Sequence, residues 1–464
     1  MALHLELARE AAQLEWCELG AEAAAGLART VLDTVGCMLG SAPEAFADAA
    51  LAALGETSGA GVCAVAGRRE RLPMAAAAMA NGTLAHGYDY DDVHMPSIAH
   101  LSAAVVPAAM AAAQSAGADG KTFLAAVAAG DEVAGRLGRA LCFPELGGSA
   151  VRARGFFPTA ILGTIGAAVA AARVARLDVG RMAQAIAIAS SYAAGLAAIS
   201  RGDNSTKRSQ AGWAAQCGIQ AAWMARHGFT GPDSVLETPQ GFFEAYAGGC
   251  FREDRLGRSS GDPWVCEEMS FKWYPLEYMI HPLVELAVRS RPIVLPALER
   301  VTRIEASVPR RFATLFLPRP GKVRPGDRFM ALISAPYCIA RSLLHPGSGH
   351  LFLDDFRETG YRLDPQIEAL AERVEFVEND ALDEVFPMHV AGRLRVLAGN
   401  DTVWEGALDD VYGSPCRPLS DAHLMEKFRD NCRSLGPART DALLESLGNI
   451  AQAPDAGWVA QLAG

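Results

Sequence analysis

The stretch LAHGYDYDDVHMPSIAH, residues 84 to 100, sets His86, Asp89, Asp91, Asp92, His94 and His100 into surroundings made mostly of alanine, valine, leucine and glycine. A carboxylate beside an imidazole fixes its tautomer and tunes its basicity, so this set suits proton transfer. Metal chemistry fits the spacing less well. An EF-hand calcium loop needs a further ligand series and a glycine that are missing here. His94 and His100 stand six positions apart and do not share a helix face, as two zinc-binding histidines at i and i+4 would. A metal-dependent hydrolase remains a rival reading of the Asp/His cluster, and a helix cap or solvated turn is the plain alternative for the acids.

Two further polar islands interrupt the apolar background. In ISRGDNSTKRSQAG, Arg201, Asp203, Asn204, Ser205, Thr206, Lys207, Arg208 and Gln210 separate two apolar helical segments. This is either an interhelical loop or an anion site where hydroxyls, a helix N-terminus and Lys207 converge on a carboxylate. In MSFKWYPLEYMIHPL, Lys272 is flanked by Phe271, Trp273 and Tyr274, with Glu277 and His281 following. An aromatic core is one reading. A desolvated lysine shifted toward catalytic use is the other.

The elements that must carry these residues are mostly helices. GLARTVLDTVGCMLG repeats Leu27, Val31, Leu32, Val35 and Leu39 at three- and four-residue spacing, which predicts an amphipathic helix. ILGTIGAAVAAARVARL continues the theme, and AGWAAQCGIQAAWMARHGFTGP ends at Gly228 with Pro232 close behind, a helix stop. Abundant alanine and glycine imply helices at close approach. From about residue 266 the pattern changes: RIEASVP, FMALISAPYCIA, VEFVEND and GRLRVLAG read as short β-type runs, with helical LDPQIEALAERV between them. After GSPCRPLS the chain returns to helix. The expected fold is therefore mainly α: a large all-helical domain from residues 1–265 and 413–464, with a smaller inserted α+β domain over 266–412.

The bulk composition bounds the partners. The 464 residues are 50% hydrophobic and 20% charged, with a formal net charge of −11. An acidic chain without long basic runs is a poor match for nucleic acid or an anionic membrane, yet a few local cations can still hold a small carboxylate. Ten scattered cysteines without a CxxC imply free thiols rather than disulfides, a zinc site or an iron–sulfur cluster. No signal peptide or membrane span is read, so a cytoplasmic protein is expected.

Taken together, VLDTVGCMLG, NGTLAHGYDYDDVH, GFFPTAILGTIGAA, KRSQAGWAAQCGIQAAWMARHGFTGP, FKWYPLEYMIHP, ISAPYCIARSLLHPG and GSPCRPLSDAHLMEKF resemble the MmgE/PrpD family, in family order across nearly the whole chain. The resemblance implies a homodimer that works without metal or organic cofactor. It places the family's pocket aspartate on Asp89, its histidine on His100, its lysines on Lys207 and Lys272, and its tyrosine on Tyr337. Phe157, Gln210, Glu277 and His281 fall at substrate-binding positions. The chain departs from the family pattern at five places: Phe157 and Gln210 stand where histidines are common, Val93 where a threonine is usual, Leu101 where the motif has proline after the histidine, and Glu277 where the decarboxylase branch has a histidine.

The expected activity is a cofactor-independent lyase that abstracts a proton α to a carboxylate of a small di- or tricarboxylic acid. In this reading Lys207 and Lys272 hold carboxylates, and His100, oriented by Asp89, moves the proton. Tyr337 is an acid or an anchor. Dehydration of the 2-methylcitrate dehydratase kind leads. Decarboxylation of the cis-aconitate decarboxylase kind and epimerisation of the iminodisuccinate epimerase kind are the alternatives, followed by an inactive metabolite-binding member of the family.

Overall fold

A computed structural model describes residues 2–143, 148–200, 204–259, 261–357, 361 and 363–464. Arg201 and Asp203 of the second polar island lie outside the described residues. The protein is mainly α, and the chain divides into two compact units. One comprises the chain up to Gly87, Asp91–Phe271 and Ser420–Gly464; the other comprises Tyr88–Tyr90 and Lys272–Leu419.

The larger unit is a stack of helices. Ala21–Ser41 buries Leu27, Val31, Val35 and Leu39, with Leu32 only half-buried, so the spacing read from sequence maps onto the inward face. Met74–Ala85, Ser102–Ala116, Gly120–Ala140, Pro158–Val174 and Thr206–Arg226 pack around one another. Small residues set their separation. A Cβ on Gly130 would lie 2.6 Å from the carbonyl oxygen of Gly166, and one on Gly82 would lie 2.7 Å from Gly212 Cα. Only hydrogen at these crossings lets the backbones approach so closely. Thr206–Arg226 ends at Gly228, whose φ of +88° is the left-handed conformation glycine tolerates. Near the C-terminus, Asp421–Asn431 lies against Ala21–Ser41 and pairs Lys427 with Asp33 at 2.6 Å, both fully buried. The sequence reading expects an all-helical unit, but short strands also occur in it. Two-residue strands pair at Cys63–Ala64 with Arg71–Leu72, Val93–His94 with Met269–Ser270, and Cys142–Phe143 with Gly148–Ser149. Such short ladders leave no periodicity to read.

The smaller unit holds a four-stranded sheet ordered Asp401–Leu408, Gly392–Ala398, Arg303–Ser307, Val374–Phe376. The first two pairings are antiparallel and the last is parallel. The helix His281–Val294 covers the first two of these strands, and Ala335–Leu344 packs on that helix in turn. One sequence expectation fails here. FMALISAPYCIA is not a strand but two helices, Arg328–Leu332 and Ala335–Leu344. The Ser334 hydroxyl accepts from Tyr337 N, and Pro336 sits in the first turn, so helix-start chemistry overrides the β-type composition.

Among the described residues, no helix is long and apolar enough to cross a membrane. All ten cysteines are free, with Cys17, Cys250 and Cys416 exposed.

Candidate active site

In the larger unit, the close crossing at Gly82 and Gly212 governs where two functional ends lie. His86 caps the C-terminus of Met74–Ala85, and Lys207 sits in the first turn of Thr206–Arg226. Arg208 Nε, on the same turn, donates to the Gly87 carbonyl at 2.8 Å, and its guanidinium lies 4.7 Å from the Phe46 ring centroid. The chain beyond His86 is thereby tied to the helix that carries Lys207.

Asp91 stands between two imidazoles. Its Oδ2 is 2.8 Å from His86 Nδ1 and 3.2 Å from His100 Nδ1. The two rings meet edge-on with centroids 4.8 Å apart. Burial opposes ionisation of Asp91, but the flanking histidines prevail and hold its carboxyl well below the usual carboxylate range. Burial, with Lys207 and His100 adding to it, lowers His86 to about 4 against the pull of Asp91. His86 is therefore neutral at pH 7, with Nδ1–H directed at Asp91. Its Nε2 carries the lone pair and, among the described residues, has no hydrogen-bond partner.

His100 is fixed in a similar way. Its Nδ1 lies 2.8 Å from the Asp92 carbonyl oxygen, which can only accept, so that nitrogen carries a proton. Its backbone N–H donates to Thr159 Oγ1 at 3.0 Å, tying it to the first turn of Pro158–Val174. In the neutral ring the base is then Nε2.

The rest of the stretch has other work. The Asp92 carboxylate accepts from Ser102 Oγ at 2.7 Å, with Asp33 and Asp131 close enough to act on it electrostatically. Burial raises both Asp92 and Asp131 well above the usual carboxylate range. His94 uses both ring nitrogens, on Ser97 Oγ at 2.9 Å and Glu268 Oε2 at 3.1 Å, with Arg139 on the same glutamate. It is a strut joining Val93–His94 to the 268–270 segment, with no nitrogen to spare for chemistry.

Of the other expected residues in this unit, Lys207 and Gln210 are buried on the first turns of one helix. Asn204 Oδ1 accepts from Thr206 N at that helix start, whereas Ser205 and Thr206 are exposed. Phe157 lies tilted toward His86, ring centroids 5.9 Å apart. Gln210 Nε2 donates to the Leu196 carbonyl at 3.3 Å, leaving Oε1 buried without a hydrogen-bond partner among the described residues.

In the smaller unit, Lys272 Nζ donates to the Asp89 carbonyl oxygen at 2.6 Å and to Asp89 Oδ1 at 2.8 Å, with both side chains buried. Asp89 has a φ of +53°, a left-handed conformation aspartate tolerates better than most residues. Around them lies an aromatic core: His350 contacts Trp273, Tyr274 and Phe352, and His281 contacts Tyr274 and Tyr278. His281 begins its helix, Glu277 caps the turn Tyr278–Ile280 through Met279 N at 2.9 Å, and Tyr337 is fully buried in Ala335–Leu344.

The MmgE/PrpD N-terminal domain model matches residues 5–253, and the C-terminal domain model matches residues 274–448. The chain belongs to the MmgE/PrpD family. It is similar to the cis-aconitate decarboxylase of Homo sapiens, 29% identical over 83% of this chain and 78% of that protein. It is also similar to a cis-aconitate decarboxylase-like protein of Aspergillus oryzae, 25% identical over 91% and 89%. The cis-aconitate decarboxylase of Aspergillus terreus is 24% identical over 80% and 76%.

Within this MmgE/PrpD chain, the expected site residues fall into His100, Lys207, Phe157 and Gln210 of one unit and Asp89, Lys272, Glu277, His281 and Tyr337 of the other. Sequence reasoning gave His86 and Asp91 no role beside His100, although HGYDYD already places an imidazole and a carboxylate five residues apart. It also passed over Asp131, whose signal was an acid inside the apolar run AAVAAGDEVAG. The donor atoms of His86, Asp91 and His100 lie within 4.8 Å of one another, which is what the metal reading has in its favour. Against it, the Asp91 carboxylate is already the hydrogen-bond acceptor for two imidazole N–H groups.

Proposed function

We propose that this protein is a lyase acting on a small di- or tricarboxylic acid, and that its chemistry turns on proton transfer at the carbon α to a carboxylate. The observation that carries this reading is the trio of His86 and Asp91, both buried, with half-buried His100. An ionised carboxylate accepts from the Nδ1 of both imidazoles, which turns each Nε2 away from it, and neutral His86 presents its Nε2 lone pair. Lys207 and Lys272 are proposed to bind substrate carboxylates, and Tyr337 to act as an acid or anchor. Asp89, which balances the charge of Lys272, would release that lysine in part as substrate arrives. All these parts are side chains, and the proposal needs no cofactor. The expected homodimer and cytoplasmic location belong to the same proposal.

Dehydration of a hydroxylated acid of the 2-methylcitrate kind is the reaction we carry forward. It begins with loss of an α proton and so calls for a lone pair, which His86 Nε2 supplies. A decarboxylation needs a proton delivered to the carbanion left by CO₂, which a neutral imidazole with an unprotonated Nε2 does not hold at the outset. The names of the relatives favour decarboxylation as the second reading, and Glu277 in place of a histidine counts against it.

The test is incubation with 2-methylcitrate, other hydroxylated, unsaturated and amino-substituted di- and tricarboxylic acids, and cis-aconitate in D₂O, followed by proton NMR. A substrate should exchange its α hydrogen for deuterium, and His100→Ala should slow exchange and turnover by roughly 10²–10⁴-fold. Formation of an unsaturated acid supports dehydration, release of CO₂ from cis-aconitate the second reading. Undiminished exchange in both His100→Ala and His86→Ala would refute the role of the trio. Activity lost on chelation and restored by one metal would support the hydrolase rival, and no turnover across the panel a binding protein.

A further inference from the structure

In the smaller unit, three side chains from separate stretches meet beside the Gly392–Ala398/Asp401–Leu408 hairpin. They are His389, just before the hairpin, and Asp410 and Cys416, just after it. The Asp410 carboxylate is held from behind, since Oδ1 accepts from Val411 N at 2.8 Å and Val390 N at 3.3 Å. Its Oδ2 lies 3.1 Å from His389 Nδ1. Cys416 is exposed and rides on a closed turn, in which Gly413 N donates to the Arg417 carbonyl at 2.7 Å and Arg417 N to Ser414 Oγ at 3.2 Å. Arg417 anchors that turn by donating to the Asp410 carbonyl and pairing with Glu285 at 2.8 Å.

We infer that His389, Asp410 and Cys416 form a binding site for a zinc-class divalent cation. One nitrogen, one carboxylate oxygen and one sulfur lie within 4.8 Å of one another. A tetrahedral zinc with bonds of about 2.0–2.3 Å requires ligand separations of about 3.3–3.8 Å. The His–Asp separation is already close to that figure, so closing the site is a matter of moving one exposed cysteine side chain. A mixed N, O and S donor set selects zinc, cobalt or copper over magnesium or calcium. The backbone donors on Asp410 and the Arg417 anchor orient the ligands in the way outer partners do in metal sites. With three protein ligands, water completes the shell. The bound ion would clip both ends of the hairpin together, and the thiol gives up its proton on binding. None of the three residues takes part in the proposed lyase chemistry.

The test uses the full chain, stripped with a chelator and titrated with Co²⁺ alone. One equivalent should give tetrahedral d–d bands and a thiolate-to-cobalt charge-transfer band, both displaced by Zn²⁺. Cys416→Ala should abolish the charge-transfer band, and His389→Ala should weaken binding at least about tenfold, as loss of one ligand hydrogen-bonding or coordination contact implies. Cys17→Ala and Cys250→Ala, which remove the other exposed thiols, should leave the spectrum unchanged. Zn²⁺ should also raise the unfolding temperature of the parent chain and not that of Cys416→Ala. Octahedral cobalt only, or tetrahedral bands that survive in both Cys416→Ala and His389→Ala, would overturn the site. These readouts are independent of turnover, so failure here leaves the lyase proposal standing.

Discussion

With its carboxyl held ionised, Asp91 keeps a proton on the Nδ1 of each flanking imidazole, and burial makes His86 costly to protonate again. The pH consequence has a definite sign. Below about pH 6.5 the unfolded chain protonates this histidine, while the folded chain resists until about pH 4. The unfolded state then binds more protons, so stability falls as pH drops through that window, by up to about 3 kcal/mol. Asp92 and Asp131 act in the opposite sense: the folded chain keeps their protons where the unfolded chain has lost them, so they destabilise progressively as pH rises above about 3.9. The clean measurement is therefore a difference. In urea unfolding, the stability of the parent chain relative to His86→Gln should rise as pH rises from about 4 to 6.5. Parallel curves would mean His86 is not held neutral. Lys272 is a second case. Its side chain and that of Asp89 are buried together. Lys272→Met should cost about 3–5 kcal/mol by stranding the carboxylate, and adding Asp89→Asn should restore part of the loss. A thermal midpoint equal to the parent's would show that Asp89 is satisfied without the lysine. Residue types and spacing made His100, Asp89 and the lysines legible as chemistry. Their pairing was not legible, because which carboxylate faces which cation depends on helix ends brought together by packing.

Helices that cross through glycine position the chemistry more tightly than the loops between them. A Cβ on Gly212 would lie 2.2 Å from the Met79 carbonyl oxygen and 2.5 Å from Thr83 Oγ1, and the carbonyl belongs to a helix that cannot yield locally. Gly212→Ala should therefore destabilise by about 1–3 kcal/mol. Because the strain must separate the helices carrying His86 and Lys207, it should also lower kcat under conditions where the variant remains folded. Circular dichroism melting and steady-state turnover measure the two effects; a stable variant with unchanged kcat would remove this crossing from the account. The helices were readable because a buried face repeats at 3.6 residues, as in Leu27, Val31, Val35 and Leu39. FMALISAPYCIA was misread because its capping serine and first-turn proline sit inside an apolar run that also suits a strand. The edge strand Asp401–Leu408 gave no comparable signal: most of its residues are exposed or half-buried, with a register shift between Thr402 and Trp404.

Across the whole molecule, the larger unit is assembled from pieces far apart in sequence. Lys427 neutralises Asp33 where neither meets solvent, and Phe428 packs against Gly36 one turn along the same helix. Lys427→Ala should lower stability by about 3–5 kcal/mol in urea, since it strands a buried carboxylate. An unchanged midpoint would mean that Asp33 takes up a proton instead. The same pairing constrains the order of events on the ribosome. Cys37 and Asn431, neighbours in the finished unit, are 394 residues apart. At roughly 5–20 residues per second, the Ala21–Ser41 helix waits tens of seconds for Asp421–Asn431 to be made. Residues 272–419, nearly all of the smaller unit, emerge as one run before that partner does. Ala21–Ser41 is thus made long before a helix that covers it, and through that interval its apolar face is a natural client for a holding chaperone.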